Sequence, residues 1–237
     1  MITLYGNASP NVLKISIALN ELRLPYAWQH VNIWSGHQFQ PSIKRLNPLS
    51  KVPILVETGD GAADKSESTE IVLFESGAIL LYLSEKAPGI IMPTQLAPRM
   101  EALKWLFVQC ANIGPMFGQL THFAKYATGP GDYALRRYQG QVTRLYDILE
   151  ERLFGANYLG GDEYSVADIA TYPWITLHET HGRKLGTSLS RWFEAISERD
   201  AVKKALARHN EQIRPADMAM RDAAESADLD ILFPGRS

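Results

Sequence analysis

The chain has 237 residues, 46% of them apolar and 21% charged, with a formal net charge of −2. That length allows one or two domains with a sizeable core, and the composition is that of a globular protein rather than a disordered or membrane one. Acidic and basic residues are interspersed, which advertises no basic face for nucleic acid or anionic lipid. The longest apolar run, Ala78 to Leu83, falls far short of the roughly 20 residues of a membrane helix.

The lone cysteine, Cys110, cannot form an internal disulfide, and the chain opens on Met1-Ile2-Thr3-Leu4-Tyr5 rather than on a charged segment followed by a long apolar one. Both features point to a reducing cytoplasm. Small molecules or other proteins are the partners left.

Taken in chain order, Ile2 to Tyr5 reads as a short buried strand. Asn7-Ala8-Ser9-Pro10 then starts a helix, with Ser9 as N-cap and Pro10 at the first helical position. Val12, Ile15, Leu19 and Leu22 keep helical spacing up to Pro25, and a second strand, Tyr26 to Val31, makes the unit a parallel crossover. Asn32 to Pro48 has no sustained periodicity and is expected to be an irregular loop with at most one helical turn after Pro41. Val52 to Val56 and Ile71 to Phe74 are expected to form a hairpin with a long polar connection, Thr58 to Glu70.

Glu75-Ser76-Gly77 opens a helix to about Lys86, and Pro88, Gly89 and Pro93 punctuate a linker. Every later periodic segment is helical: Ala97 to Tyr126, Tyr133 to Phe154, Val166 to about Thr180, and Leu189 to Arg208 with a break near Asp200. Strands followed by a run of helices indicate two layers of different class, with domains at 1–87 and 96–214, a linker at 88–95 and a surface tail at 215–237. Gly114-Pro115 is expected to kink the first long helix of the second domain. Ser165-Val166-Ala167-Asp168 has the pattern of a capping box, a folding feature rather than a catalytic one.

Ser9 is the first candidate for chemistry, because an N-cap hydroxyl sits where a helix presents free N–H groups and a partial positive charge. An anion such as a thiolate is stabilised there; the plain alternative is capping alone. Asn11 adds an amide donor in the first turn, and Tyr5 is a rival hydroxyl whose alternation favours a structural role. Val52-Pro53 stands where a cis proline would free the Val52 N–H and C=O from the sheet for a peptide-like ligand, although most X-Pro bonds are trans. Glu75-Ser76 at a helix start combines an acid for an amine with N–H and hydroxyl donors for a carboxylate. Cys110, among Trp105, Leu106, Phe107 and Val108, reads as a buried inert thiol. His178-Glu179-Thr180-His181 lacks the spacing of a zinc-protease motif, so no metal is expected.

These signals occur together and in order. Gly6-Asn7-Ala8-Ser9-Pro10-Asn11, Gly36-His37-Gln38-Phe39, Asn47-Pro48-Leu49-Ser50-Lys51-Val52-Pro53 and Phe74-Glu75-Ser76-Gly77-Ala78 resemble the glutathione site of the glutathione transferases. Pro10-Asn11, Gln38-Phe39, Trp105-Leu106-Phe107 and Gly114-Pro115-Met116 look like the nu class and its fungal Ure-type regulator relatives, a likeness covering residues 1 to about 215. The resemblance implies a thioredoxin-like α/β domain followed by an all-α domain, with glutathione bound as co-substrate in an extended pose. Val52 would pair with the cysteinyl backbone, Glu75 and Ser76 would hold the γ-glutamyl end, and Gln38 and Lys51 would reach its other polar groups. Ser9 and Asn11 would flank the sulfur.

Arg137, in Arg136-Arg137-Tyr138-Gln139, matches a helical arginine that reaches the site in relatives, with its own subunit or the dimer partner as the source; a solvated helix charge is the alternative. Phe117, His122 and Phe123 are expected near a second-substrate pocket, with a core seam as the plain alternative. Glutathione-dependent disulfide reduction is the favoured reaction, with transfer to an electrophilic carbon second. A non-catalytic regulatory module and glutathione-dependent ether cleavage remain open, and a homodimer is implied.

Overall fold

In the computed structural model, which describes residues 1–59, 70–126 and 132–233, four short strands form one mixed sheet. They are β1 (Ile2–Gly6), β2 (Tyr26–His30), β3 (Ile54–Thr58) and β4 (Glu70–Phe74), in the spatial order β2-β1-β3-β4. β1 runs parallel to β2 across helix α1 (Pro10–Glu21), while β3 is antiparallel to both β1 and β4. Most of the hairpin connection expected between β3 and β4 lies outside the described residues.

Every residue of α1 from Val12 to Leu19 is buried, so the helix is covered all round. A further cluster packs Val31, Ile43, Ile54 and Val56 with Tyr5, Ile33, Leu46 and Val52. It draws in the stretch read from sequence as an irregular loop. That stretch holds two 3-10 turns, Ile33–Ser35 and His37–Phe39, and helix α2 (Pro41–Leu46). The turns are stabilised by tertiary burial of widely spaced apolar residues, which leaves no local periodicity to read. Tyr5, half-buried, packs its ring against this cluster.

Helix α3 (Ser76–Lys86) follows β4, and the helical run continues with α4 (Leu96–Val108), α5 (Gly114–Lys125), α6 (Asp132–Phe154), α7 (Val166–Ile175) and α8 (Thr187–Ser197). It ends in α9 (Asp200–Arg208), α10 (Arg214–Asp222) and α11 (Ser226–Leu232). Between α4 and α5 the ladder widens to a π-turn over Gln109–Ile113, just before the expected break at Gly114-Pro115. Pro115 has no N–H for the carbonyl of Ala111, and the wide turn absorbs that loss. The same device recurs at His209–Ile213 before Pro215. The segment from Pro215 is therefore helical, where the sequence suggested a tail merely laid on the surface.

The chain forms two compact units, one of Met1–Leu83 with the segment from Lys204 onward, the other of Ser84–Lys203. In the first, Arg208 lies over the rings of Tyr26 and Trp28, at 4.9 and 5.8 Å, and Phe233 meets Trp34 edge-on at 6.5 Å. In the second, the Ser165/Asp168 capping box starts α7. Cys110 is half-buried rather than buried, on the π-turn, with its thiol 3.6 Å from Gln109 Oε1.

Asp168 does more than cap. Its fully buried carboxylate accepts from Ser165 N, Leu159 N and Trp192 Nε1 at 2.8 to 2.9 Å and from Ser165 Oγ at 3.1 Å, joining three parts of the helical unit. Burial nonetheless outweighs these bonds and raises its pKa. Asp168→Ala leaves four donors without this acceptor, so urea unfolding should register a loss of about 3 kcal/mol or more, against about 1 kcal/mol for Ser165→Ala.

Candidate functional site

The sheet register brings four chain segments to one end of the sheet. Gly6, the last residue of β1, pairs with His30, the last of β2. Tyr5 pairs with Ile54, the first residue of β3, and Ile54 with Phe74, the last of β4. The segments Asn7–Ser9, Val31–Gln40, Lys51–Pro53 and Glu75–Ser76 therefore all enter or leave the sheet side by side. These are the four stretches whose motifs carried the sequence reading.

Each is held by its own local chemistry. Asn7, buried, accepts from Ser9 N through Oδ1 at 3.1 Å, which turns the chain into α1. Gly6 is required beside it, because a Cβ there would lie 2.4 Å from Val12 Cγ1. Buried Asn47 donates through Nδ2 to the Lys51 carbonyl at 2.7 Å and accepts from Leu49 N at 3.0 Å, bracing the loop before β3. The Val52-Pro53 peptide is cis, and Val52 stands outside the β3 ladder. Glu75 takes φ +67°, the left-handed region that a non-glycine residue enters at a cost of about 1 kcal/mol or more. The exposed Glu75 carboxylate has no ion pair among the described residues.

The polar groups at this end of the sheet are unusual in what they lack. Ser9 sits at the N-cap with extended φ and ψ, yet its side chain makes no cap bond. Among the described residues its buried Oγ has no hydrogen-bond partner. Gln38, only 1% exposed, leaves both Nε2 and Oε1 unpartnered among the same residues. The half-buried Asn11 amide has no partner among the described residues either. Lys51 is exposed, with its ammonium unpaired among them.

Sequence reasoning missed three contributors. Lys14, 1% exposed, donates through Nζ to Ser76 Oγ at 3.1 Å. Asn47 appeared only as part of a motif. Asp217 of α10 lies 3.6 Å from His30 Nε2, with the Trp34 indole and the Ala8 N–H also facing its carboxyl. Burial holds that carboxyl above its usual range in spite of those neighbours. The one sequence signal for Lys14 was a lysine inside an otherwise apolar helix face; for Asp217 there was none.

In the helical unit, Arg137 is exposed on α6 and lines a cavity of about 430 Å³ with Trp105, Met116, Tyr138 and Arg144. Phe123 stacks on Tyr138 at 5.4 Å, and His122 meets Phe123 edge-on at 5.3 Å. Phe117 takes the core alternative: it is fully buried between Tyr146 at 5.0 Å and His181 at 4.8 Å, with Trp174 edge-on. Burial pushes the His181 imidazole down to about 4 and the Tyr146 phenol up. Among the described residues no group of three His, Cys, Asp or Glu side chains could hold a metal ion, and no helix is long and apolar enough to cross a membrane.

The chain belongs to the glutathione S-transferase family. The models of that family's N-terminal and C-terminal domains match residues 8–86 and 118–200. The disulfide-bond oxidoreductase YfcG of Escherichia coli is 40% identical over 208 residues, 87% of this chain and 94% of its own length. A Pseudomonas fluorescens glutathione transferase family member, solved with two glutathiones bound, superposes with a TM-score of 0.78 at 34% identity, covering 86% of this chain and 92% of that one. A Pseudomonas putida glutathione transferase, solved with one glutathione disulfide per subunit, gives 0.77 at 32% identity, covering 86% and 90%.

The unpartnered groups separate stability from binding. Ser9→Ala should cost only a few tenths of a kcal/mol in urea unfolding, well below the usual cap loss of about 1 kcal/mol, because no cap bond exists to break. Gln38→Met removes a buried amide with no partner and should leave the ligand-free protein as stable or more so, by up to about 1 kcal/mol. Both variants should nevertheless bind glutathione less tightly by calorimetry.

Proposed function

We propose that the chain binds glutathione across the end of its sheet and uses the bound thiolate to reduce disulfides. What carries this reading is the buried Ser9 hydroxyl with no partner at the start of α1. It is a free O–H donor beside a helix terminus of partial positive charge, where an arriving sulfur anion gains both. Asn11 supplies a second unpaired donor in the same turn. The free N–H and C=O of Val52 suit the cysteinyl backbone of the tripeptide, and Glu75 with Ser76 suits its γ-glutamyl amine and carboxylate. Gln38 and Lys51 answer its other polar groups.

A free cysteine thiol has a pKa of about 8.5, so only about 3% of it is ionised at pH 7. Lowering that value by two units would leave roughly three quarters ionised, near the optimum for an attacking thiol. The thiolate attacks one sulfur of the disulfide, forming a mixed disulfide and expelling the other sulfur as a thiolate, which takes up a proton. A second glutathione attacks the mixed disulfide at the glutathione sulfur, giving glutathione disulfide and the second product thiol. Two electrons pass from two glutathiones to one disulfide, and the chain needs no cysteine of its own. Its similarity to a disulfide-bond oxidoreductase, and to a relative solved with glutathione disulfide, supports this over transfer to an electrophilic carbon.

We assign Arg137 to the glutathione site of a second copy in a homodimer; its exposure and its lack of an ion pair among the described residues leave it available. His122 and Phe123 border the second-substrate pocket, backed by Phe117 from the core. A single cysteine and thiol-based chemistry both suit the cytoplasm.

The test is reduction of 2-hydroxyethyl disulfide by glutathione, coupled to glutathione reductase. Wild type should exceed the uncatalysed rate, and Ser9→Ala should lose about a hundred-fold or more in kcat/KM, as expected for removing one donor to a reacting anion. Rates equal to glutathione alone would refute the reaction, and tight glutathione binding without turnover would favour a regulatory module.

A further inference from the structure

We infer that Lys14 is a positioning residue for substrate recognition: it fixes the Ser76 hydroxyl as an outward-facing donor for the γ-glutamyl carboxylate. This rests on the proposed glutathione site. Lys14 belongs to α1 and Ser76 opens α3, 62 residues apart in sequence, yet Lys14 Nζ reaches Ser76 Oγ at 3.1 Å with both side chains buried. A lysine ammonium has three hydrogens to donate and no lone pair to accept with. The Ser76 oxygen must therefore be the acceptor of this bond, which turns the serine's own proton away from Lys14. Among the described residues the Ser76 hydroxyl is seen in no other hydrogen bond.

A serine hydroxyl is ordinarily free to rotate and serves a donor or an acceptor equally well. Here the lysine removes that freedom. The hydroxyl presents its hydrogen, the polarity a carboxylate requires and an amine rejects, and the nearby positive charge strengthens the bond to an anion. Glu75, one residue earlier, offers the complementary acceptor for the γ-glutamyl ammonium. The paired residues thus discriminate the two ends of an amino acid headgroup: Glu75 reads the amine, while Ser76, polarised by Lys14, reads the carboxylate.

The experiment is a calorimetric cycle between variants and ligands, using glutathione and 4-aminobutyryl-cysteinylglycine, which is glutathione without the γ-glutamyl carboxylate. Lys14→Met should weaken glutathione roughly ten-fold, the value of a charge-assisted bond, and change the truncated tripeptide less than two-fold. Ser76→Ala should show the same selectivity, and the double variant should lose no more than either single change. Equal weakening of both ligands by Lys14→Met would make the lysine merely structural and overturn the inference while leaving the glutathione site intact. Absence of glutathione binding by wild type would overturn both. If Lys14→Met does not fold, Lys14→Gln takes its place and must show the same selective loss, because its uncharged amide is one atom shorter and can accept as well as donate, and so no longer fixes the polarity of the hydroxyl.

Discussion

Buried polar groups in folded proteins nearly always find hydrogen-bond partners, because leaving one unmade costs about 1–3 kcal/mol. At one end of this sheet a serine hydroxyl and both heteroatoms of a glutamine amide go without. Nothing in the local structure compels this: Ser9 has the backbone conformation of an N-cap and could have bonded its own helix. The groups remain unspent on folding and together suit a ligand rich in peptide polarity and carrying an anion. On the proposed reading, stability given up in the ligand-free chain would become binding energy once a ligand supplied the missing partners.

The rest of the fold serves to hold those groups in place. The register of β1 against β2 and β3 brings four loops side by side, and Asn7 and Asn47 brace two of them through side-chain bonds to backbone. Lys14 ties α1 to the start of α3. Asp217 brings the last helices of the chain against Ala8 and His30, so the loop before Ser9 is supported from residues more than 200 positions away. In the helical unit the investment is different. Asp168 satisfies four donors at once, and its neighbourhood has the closed bookkeeping of a core.

Much of this was legible in the sequence because the signals are local. A serine before a proline starts a helix wherever it occurs, alternation marks a strand, and Ser165 three residues before Asp168 marks a cap. What was not legible depends on contacts distant in the chain. The order of Asn32 to Pro48 comes from Ile33, Ile43 and Leu46 packing beneath the sheet, which no period announces. Lys14 drew no functional reading from the sequence, because the serine it holds lies 62 residues away. The stretch from Pro215 read as a surface tail, yet a π-turn at His209–Ile213 carries helix past the proline. Phe117 could have faced a pocket or the core, and only the rings of Tyr146 and His181 decide between them.

The central claim is that the start of α1 stabilises a sulfur anion, and the direct measurement is the pKa of the glutathione thiol when bound. Thiolate absorbance in the ultraviolet, titrated with pH at saturating protein, should give a value at least about one unit below the 8.5 of a free thiol, moving back toward it in Ser9→Ala. A bound thiol that ionises at the same pH as glutathione in solution would contradict the account.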